Sequence, residues 1–237
     1  MPKDSLLFFI ILGFTMFITV RIKKLTMSAA FAGGVIGVFV FSGAAFTGIA
    51  MMAAFFILGT AATSFQAKNK TSTGIAEVNN GRRDTGQVLA NAGVAGILGI
   101  YIYLLPEQTH TFRLMMAASF SAAAADTLSS ELGNVFGSRY YNIITFKKDQ
   151  RGLNGVISAE GTAAGIAGSI IIAIIYSVGF GWSLDFLWIV IAGTAGNLAD
   201  SVLGATAERK RYLDNNAVNF LNTFVGAVAG MVLASVF

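Results

Sequence analysis

The sequence predicts an all-α fold: a single membrane domain over residues 1–237, a polytopic bundle of about eight transmembrane helices built from repeated helical hairpins. Three observations predict it. The first is composition, with 55% of the 237 residues hydrophobic, 12% charged and a mean hydropathy of +0.69. A soluble domain carries roughly twice that charged fraction. The second is a succession of apolar runs near the length of ~20 residues that crosses a bilayer as a helix. The third is the alternation of basic and non-basic connections along the chain. The chain has no cysteine, which excludes a disulfide framework and thiolate chemistry.

The first run, Ser5–Val20, follows Lys3 much as a secretory signal would. The basic group Arg21, Lys23 and Lys24 follows it instead of a small-residue cleavage site, so it reads as a retained span. Further runs fall near Met27–Phe41, Phe46–Phe65, Thr85–Leu105, Arg113–Leu132, Val156–Val178, Leu184–Ala205 and Asn216–Phe237. The longest connections, about Gln66–Asp84 and Gly133–Gly155, leave no room for a soluble domain. With eight spans, alternate connections hold Arg21, Lys23 and Lys24; Lys68, Lys70, Arg82 and Arg83; Arg139, Lys147, Lys148 and Arg151; and Arg209, Lys210 and Arg211. That puts 14 of the 16 Lys and Arg residues on one side, with Lys3 and Arg113 on the other. Positive loops stay in the cytoplasm, so both termini are expected on the opposite side.

Within this frame the stretch AAAADTLSSELG, Ala122–Gly133, stands out. It closes an apolar run yet carries Asp126 and Glu131, and carboxylates at membrane depth mark a wet cavity, a partner or an ion. On a helix Asp126, Ser129 and Ser130 share a face, whereas Glu131 points well round and serves a second neighbour unless the helix loosens. Glu160 lies in the first turns of the next span, and Asn197, Asp200, Ser201 and Gly204 share one face at the end of the seventh. Gln87 and Asn91 stand one turn apart, and Asn215, Asn219 and Asn222 form a stripe. Five spans thus bring acids or amides to one depth on one side; polar groups serving only as packing glue would scatter in depth. The bland alternative has these carboxylates merely reaching interfacial water.

A weak repeat accompanies this pattern. GQVLANAGVAG, NGVISAEGTAAG and NAVNFLNTFVGA each open a span after a basic loop, and AADTLSSELG and LADSVLGA each close one. The unit is a hairpin of roughly 60–70 residues.

Four carboxylates, Asp126, Glu131, Glu160 and Asp200, rimmed by Arg82, Arg83, Lys147, Lys148 and Arg151, point to a metal–phosphate site. Mg²⁺ takes carboxylate, amide and phosphate oxygens, and arginine's planar fork matches phosphate bidentately. Phosphoryl transfer asks mainly for positioning and charge neutralisation. Basic loop residues also follow from topology alone, but Arg82 and Arg83 directly precede the Gln87/Asn91 face. There is no GxxxxGK[ST] loop, and the lone His110 reads as a solvated loop residue. The alternative function is an ion-coupled transporter with buried carboxylates, whose site would sit near mid-membrane.

GRRDTGQVLANAG, AADTLSSELG, VISAEGTAAG, GNLADSVLGATAERK and NNAVNFLNT, in that order, resemble the hallmark segments of a polytopic membrane family that contains phytyl-phosphate kinase. The resemblance runs from about Gly81 to the C-terminus. It implies phosphorylation of an isoprenyl monophosphate to its diphosphate, with a nucleoside triphosphate such as CTP as donor and Mg²⁺ as cofactor. By motif matching it implies a site of Arg82, Arg83, Gln87, Asn91, Asp126, Glu131, Glu160, Asp200, Asn216 and Asn219, the four acids being the metal ligands. Asn215–Asn216 stands where the family pattern has Asn–Asp. The expected partners are the nucleotide, the isoprenyl phosphate and the lipid bilayer, with no nucleic acid; a homodimer is one option for its assembly.

Overall fold

A computed structural model of the chain describes residues 3–66 and 81–236. Lys68 and Lys70, two of the basic residues behind the expected topology, lie outside the described residues. Among those described, the helices are α1 (Lys3–Arg21), α2 (Met27–Ser64), α3 (Thr85–Leu104), α4 (Thr109–Phe136), α5 (Ala159–Phe180), α6 (Asp185–Leu203) and α7 (Asn215–Val236). The protein is all-helical in character. A short antiparallel pair, β1 (Tyr141–Asn142) with β2 (Val156–Ile157), adds to this and was not expected.

The bundle is arranged around α4, where every residue from Leu114 to Ala125 is buried. A helix enclosed on all sides needs small residues that admit its neighbours, more than lipid-facing bulk. Alanine and serine meet that need. Gly161, Gly165 and Gly168 of α5 sit against the backbone carbonyls of Ser129, Ala125 and Ala124, while Gly196 of α6 and Gly226 of α7 both meet the Ala122 methyl. A Cβ added at Gly165 would lie 2.8 Å from the Ala125 oxygen, so even alanine there would push α5 off α4.

Among the described residues, five helices are long and apolar enough to cross a membrane: α2, α3, α5, α6 continued through Glu208, and α7. The chain is therefore a multi-pass membrane protein. The apolar stretch of α1, Ser5–Arg21, is shorter, and α4 is not one of the five. The eight expected spans are not confirmed as separate helices, since Met27–Phe41 and Phe46–Phe65 both lie in α2. That helix breaks at Ala45, where φ is 48° and ψ −144°. Its 38 residues would extend about 57 Å if straight. Yet Lys24, just before it, donates a hydrogen bond from Nζ to the Ser64 hydroxyl at its end, at 2.9 Å. Hence α2 folds back on itself at Ala45. Its first half lies along α3, with Gly43 against Gly99, and its second half returns beside α4, with Gly59 near Thr127.

This reversal sorts the connections to two ends of the bundle. At one end Leu25 bridges to Arg83, Phe65 stacks on Phe136 at 5.7 Å and Gly204 abuts Gly155, so the basic connections meet there. At the other end Arg113 donates from Nε to the Gly43 carbonyl at 2.9 Å and lies 4.8 Å from the Phe180 ring centroid. His110 is largely exposed there, as expected, and pairs with Asp185 at 2.9 Å.

Candidate active site

At the basic end a cavity of about 250 Å³ opens between α3, α4, α6, α7 and the segment Gly152–Ser158. Each wall has a local cause. At the start of α3, Asp84 and Gln87 form a reciprocal cap, with the Gln87 N–H donating to Asp84 Oδ1 at 2.9 Å and the Asp84 N–H to Gln87 Oε1 at 3.0 Å. This satisfies helix-end donors and sets Gln87 and Asn91 one turn apart on the cavity side. Asn91 donates from Nδ2 to the Gln87 carbonyl at 2.9 Å, while its buried Oδ1 has no hydrogen-bond partner.

Arg83 precedes this cap on an extended segment pinned to the α1–α2 connection: Thr26 N–H donates to Arg83 O, and Arg83 N–H to Lys24 O, both at 3.0 Å. Its side chain, 8% exposed, enters the cavity and lies 5.1 Å from the Phe55 ring centroid and 5.8 Å from that of Phe56. Gly59 makes room for it, since a Cβ there would collide with the guanidinium. Arg82 points elsewhere, donating from Nε to the Leu25 carbonyl at 3.3 Å, and does not line the cavity.

Asp126 of α4 faces Asp200 of α6, the two carboxyls within hydrogen-bonding reach of each other. Asp200 Oδ1 is buried without a hydrogen-bond partner. Glu131 also lines the cavity and accepts from Thr63 Oγ1 of α2 at 3.3 Å, which is the second neighbour its helical angle called for. Asn219 lines the cavity as expected. Four further sequence-proposed residues, Glu160, Lys147, Lys148 and Asn216, lie outside the cavity with Arg82. Glu160 accepts from the Ser138 hydroxyl at 2.6 Å and the Ser138 N–H at 3.2 Å, tying the start of α5 to the loop behind it. Lys147 and Lys148 stay in that loop, and Asn216 turns to the opposite side of α7, beside Gly86.

The cavity also gathers residues that sequence patterning passed over: Asn134, Tyr140, Asn154, Ser158 and Glu208. The loop that supplies three of them is clasped from outside. Arg209 donates to the Asn154 carbonyl at 2.6 Å and to Asp149 Oδ2 at 2.8 Å, and the second bond, with the Gln150 N–H, holds the Asp149 carboxyl below its ordinary range. Among the described residues the lining holds four acids, Asp126, Glu131, Asp200 and Glu208, against Arg83 as its Lys/Arg member. No group of three or more acid or histidine side chains among the described residues is gathered tightly enough to hold a metal unaided. Mg²⁺ does not require one, since it is usually bound through one or two carboxylates plus phosphates and water. The facing Asp126–Asp200 pair with the unpartnered Asp200 and Asn91 oxygens fits such an ion.

On the far side of α3 and α7 runs an apolar groove of about 520 Å³, walled by Val35, Ile36, Phe39, Leu89, Gly93, Gly96, Ile97, Ile100 and Phe220, with Asn216 at one end.

The model of the family described as integral membrane protein DUF92 matches residues 10–227. The chain belongs to this family. Within it, the chain is similar to the uncharacterized membrane protein sll0875 of Synechocystis sp., 35% identical over 81% of this chain and 76% of that one. It is 33% identical to Protein VTE6, chloroplastic, of Arabidopsis thaliana, over 78% of this chain and 58% of the relative. The uncharacterized membrane protein MJ0933 of Methanocaldococcus jannaschii is 34% identical over 77% of this chain and 74% of its own. No solved structure matches.

Proposed function

We propose that this DUF92 protein is a membrane kinase that phosphorylates an isoprenyl monophosphate, such as phytyl phosphate, to its diphosphate with CTP or another nucleoside triphosphate as donor. The observation that carries this reading is the cavity itself. It sets a buried arginine and a facing carboxyl pair among amide oxygens, at the end of the bundle where the basic connections meet. The likeness to VTE6 supports it, as does an apolar groove one helix away from the cavity.

In this reading the acceptor phosphate oxygen attacks the γ-phosphorus, a new P–O bond forms, and the bond to the nucleoside diphosphate breaks. Arg83 binds phosphate oxygens through its fork and faces the negative charge spread over them in the transition state. Its aromatic bed and backbone pins fix it in advance, so little reorganisation accompanies the reaction. Asp126 and Asp200 would hold Mg²⁺, with Asn91 oxygen as a further hard donor; bound there, the ion neutralises phosphate charge. Asn197 and Asn219, which line the cavity, orient water around the phosphates. The volume of about 250 Å³ is below the 300–1,000 Å³ typical of whole-ligand pockets, so phosphates enter while nucleoside and prenyl chain remain outside.

We further propose eight crossings arranged as hairpins, α2 supplying two of them, with the cavity facing the cytoplasm and both termini on the opposite side. A carrier would need its site near mid-membrane; the enclosed small-residue packing of α4 from Leu114 to Ala125 favours the kinase. The test is labelled phosphoryl transfer by the purified protein across a panel of prenyl monophosphates and nucleoside triphosphates. Formation of a prenyl diphosphate is expected. Absence of transfer across the whole panel would reject the reading.

A further inference from the structure

Between α6 and the next loop the helix changes form. Gly204–Glu208 is a π-helical turn, closed by the Arg209 N–H donating to the Gly204 carbonyl five residues back at 3.2 Å. A single π turn inserts one extra residue into an α-helix, and such turns concentrate at functional sites. The insertion has a definite angular consequence. At 3.6 residues per turn, position 208 would sit about 80° round from position 200. With one residue absorbed by the wider turn, Glu208 falls nearly in line with Asp200, two turns further along.

Glu208 lines the cavity with Asp126 and Asp200, while the next residue, Arg209, points outward to Asp149 and Asn154. The turn is held in place by the loop it touches: Gly155, at φ +73°, packs so closely on Ala205 that a Cβ would overlap its backbone. An acidic cluster alone would not make a site. Here an independent feature points to a positively charged ligand: Asn91, 8% exposed and part of the cavity wall, holds a buried amide oxygen with no hydrogen-bond partner.

We propose that Glu208, brought round by the π turn, is the third carboxylate of a divalent-cation site centred on Asp126 and Asp200, the position that sequence reasoning gave to Glu160. Glu208 is a positioning residue. It acts through water of the ion, consistent with the absence of a tight three-acid group among the described residues. Outer-shell partners of this kind orient the inner ligands and set affinity. The inference rests on the proposed kinase reading for the ion's purpose, but its evidence is the geometry of the turn.

The test is Mn²⁺ binding to the purified full-length protein in detergent, followed by electron paramagnetic resonance without nucleotide or lipid substrate. Wild type should bind. Glu208→Gln should weaken the affinity about tenfold or more, the range for loss of an outer-shell partner, and Glu208→Asp should recover part of it. Glu107→Gln, at the other end of the bundle, removes the same charge and should leave the affinity within about twofold. Circular dichroism and thermal unfolding of each variant keep misfolding separate. Undiminished Mn²⁺ affinity in Glu208→Gln, or no binding by wild type, would overturn the proposal. Binding as expected with no phosphoryl transfer would instead reject the kinase reading and leave this site standing.

Discussion

Asp126 on α4 and Asp200 on α6 face each other within hydrogen-bonding reach in the cavity. Two carboxylates so placed repel unless a proton or a cation lies between them. Chelation should therefore cost the wild-type protein stability that a variant with one acid neutralised does not lose. EDTA is expected to lower the unfolding temperature of wild type and to leave Asp200→Asn nearly unchanged, read by thermal unfolding in detergent with and without Mg²⁺. Equal responses of the two proteins would count against an ion between them.

Neighbouring arginines separate two kinds of effect. Arg83 enters the cavity, whereas Arg82 bonds the Leu25 carbonyl. Arg83→Lys keeps the charge but loses the planar fork, and turnover should fall on the order of 10² by analogy with loss of one transition-state donor. Arg82→Lys should lower the unfolding temperature and leave most turnover intact. Steady-state kinetics beside thermal unfolding distinguish them, and a larger activity loss at Arg82 would contradict the placement.

Ala45 makes the reversal of α2 at φ 48° and ψ −144°, a conformation that favours glycine. Ala45→Gly should stabilise the protein by about 1 kcal/mol, less what glycine's greater unfolded-state freedom offsets. A β-branched residue there should do the reverse. Unfolding temperatures of Ala45→Gly and Ala45→Val decide the matter; the opposite order would mean that the chain does not reverse at Ala45.

The topology has its own consequence. If the basic connections face the cytoplasm, as proposed, a reporter that fluoresces only in the cytoplasm, fused after Phe237, should remain dark. Bright fluorescence would place the cavity on the other side of the membrane.

Much of the site was legible because depth is legible. The ADTL and ADSV stretches end spans on the same side, and their acids meet; Gln87 and Asn91 share a face because they stand four residues apart in a helix that the Asp84–Gln87 capping box starts. What was hidden turns on single-residue angles. Arg82 and Arg83 are consecutive on an extended segment, so their side chains leave in opposite directions. Asn215 and Asn216 are consecutive on a helix, about 100° apart, and divide between cavity and groove. Glu160 was proposed from its depth, but Ser138, far along a loop, takes its carboxylate. The break in α2 was not hidden: the apolar runs Met27–Phe41 and Phe46–Phe65 part at Ser42–Ala45, the stretch that holds the non-helical Ala45. The π turn is invisible to any reading that assumes 3.6 residues per turn.

The central claim is that this cavity transfers phosphoryl groups, and Asp126→Asn tests it most directly. The amide is nearly isosteric and sheds a charge that is costly at membrane depth, so the variant should fold as well as wild type. In the labelled phosphoryl-transfer assay with a prenyl monophosphate and CTP, it should lose activity on the order of 10²–10³ while unfolding at the same temperature or higher. Wild-type turnover by a folded Asp126→Asn would contradict the assignment of this cavity as the active site.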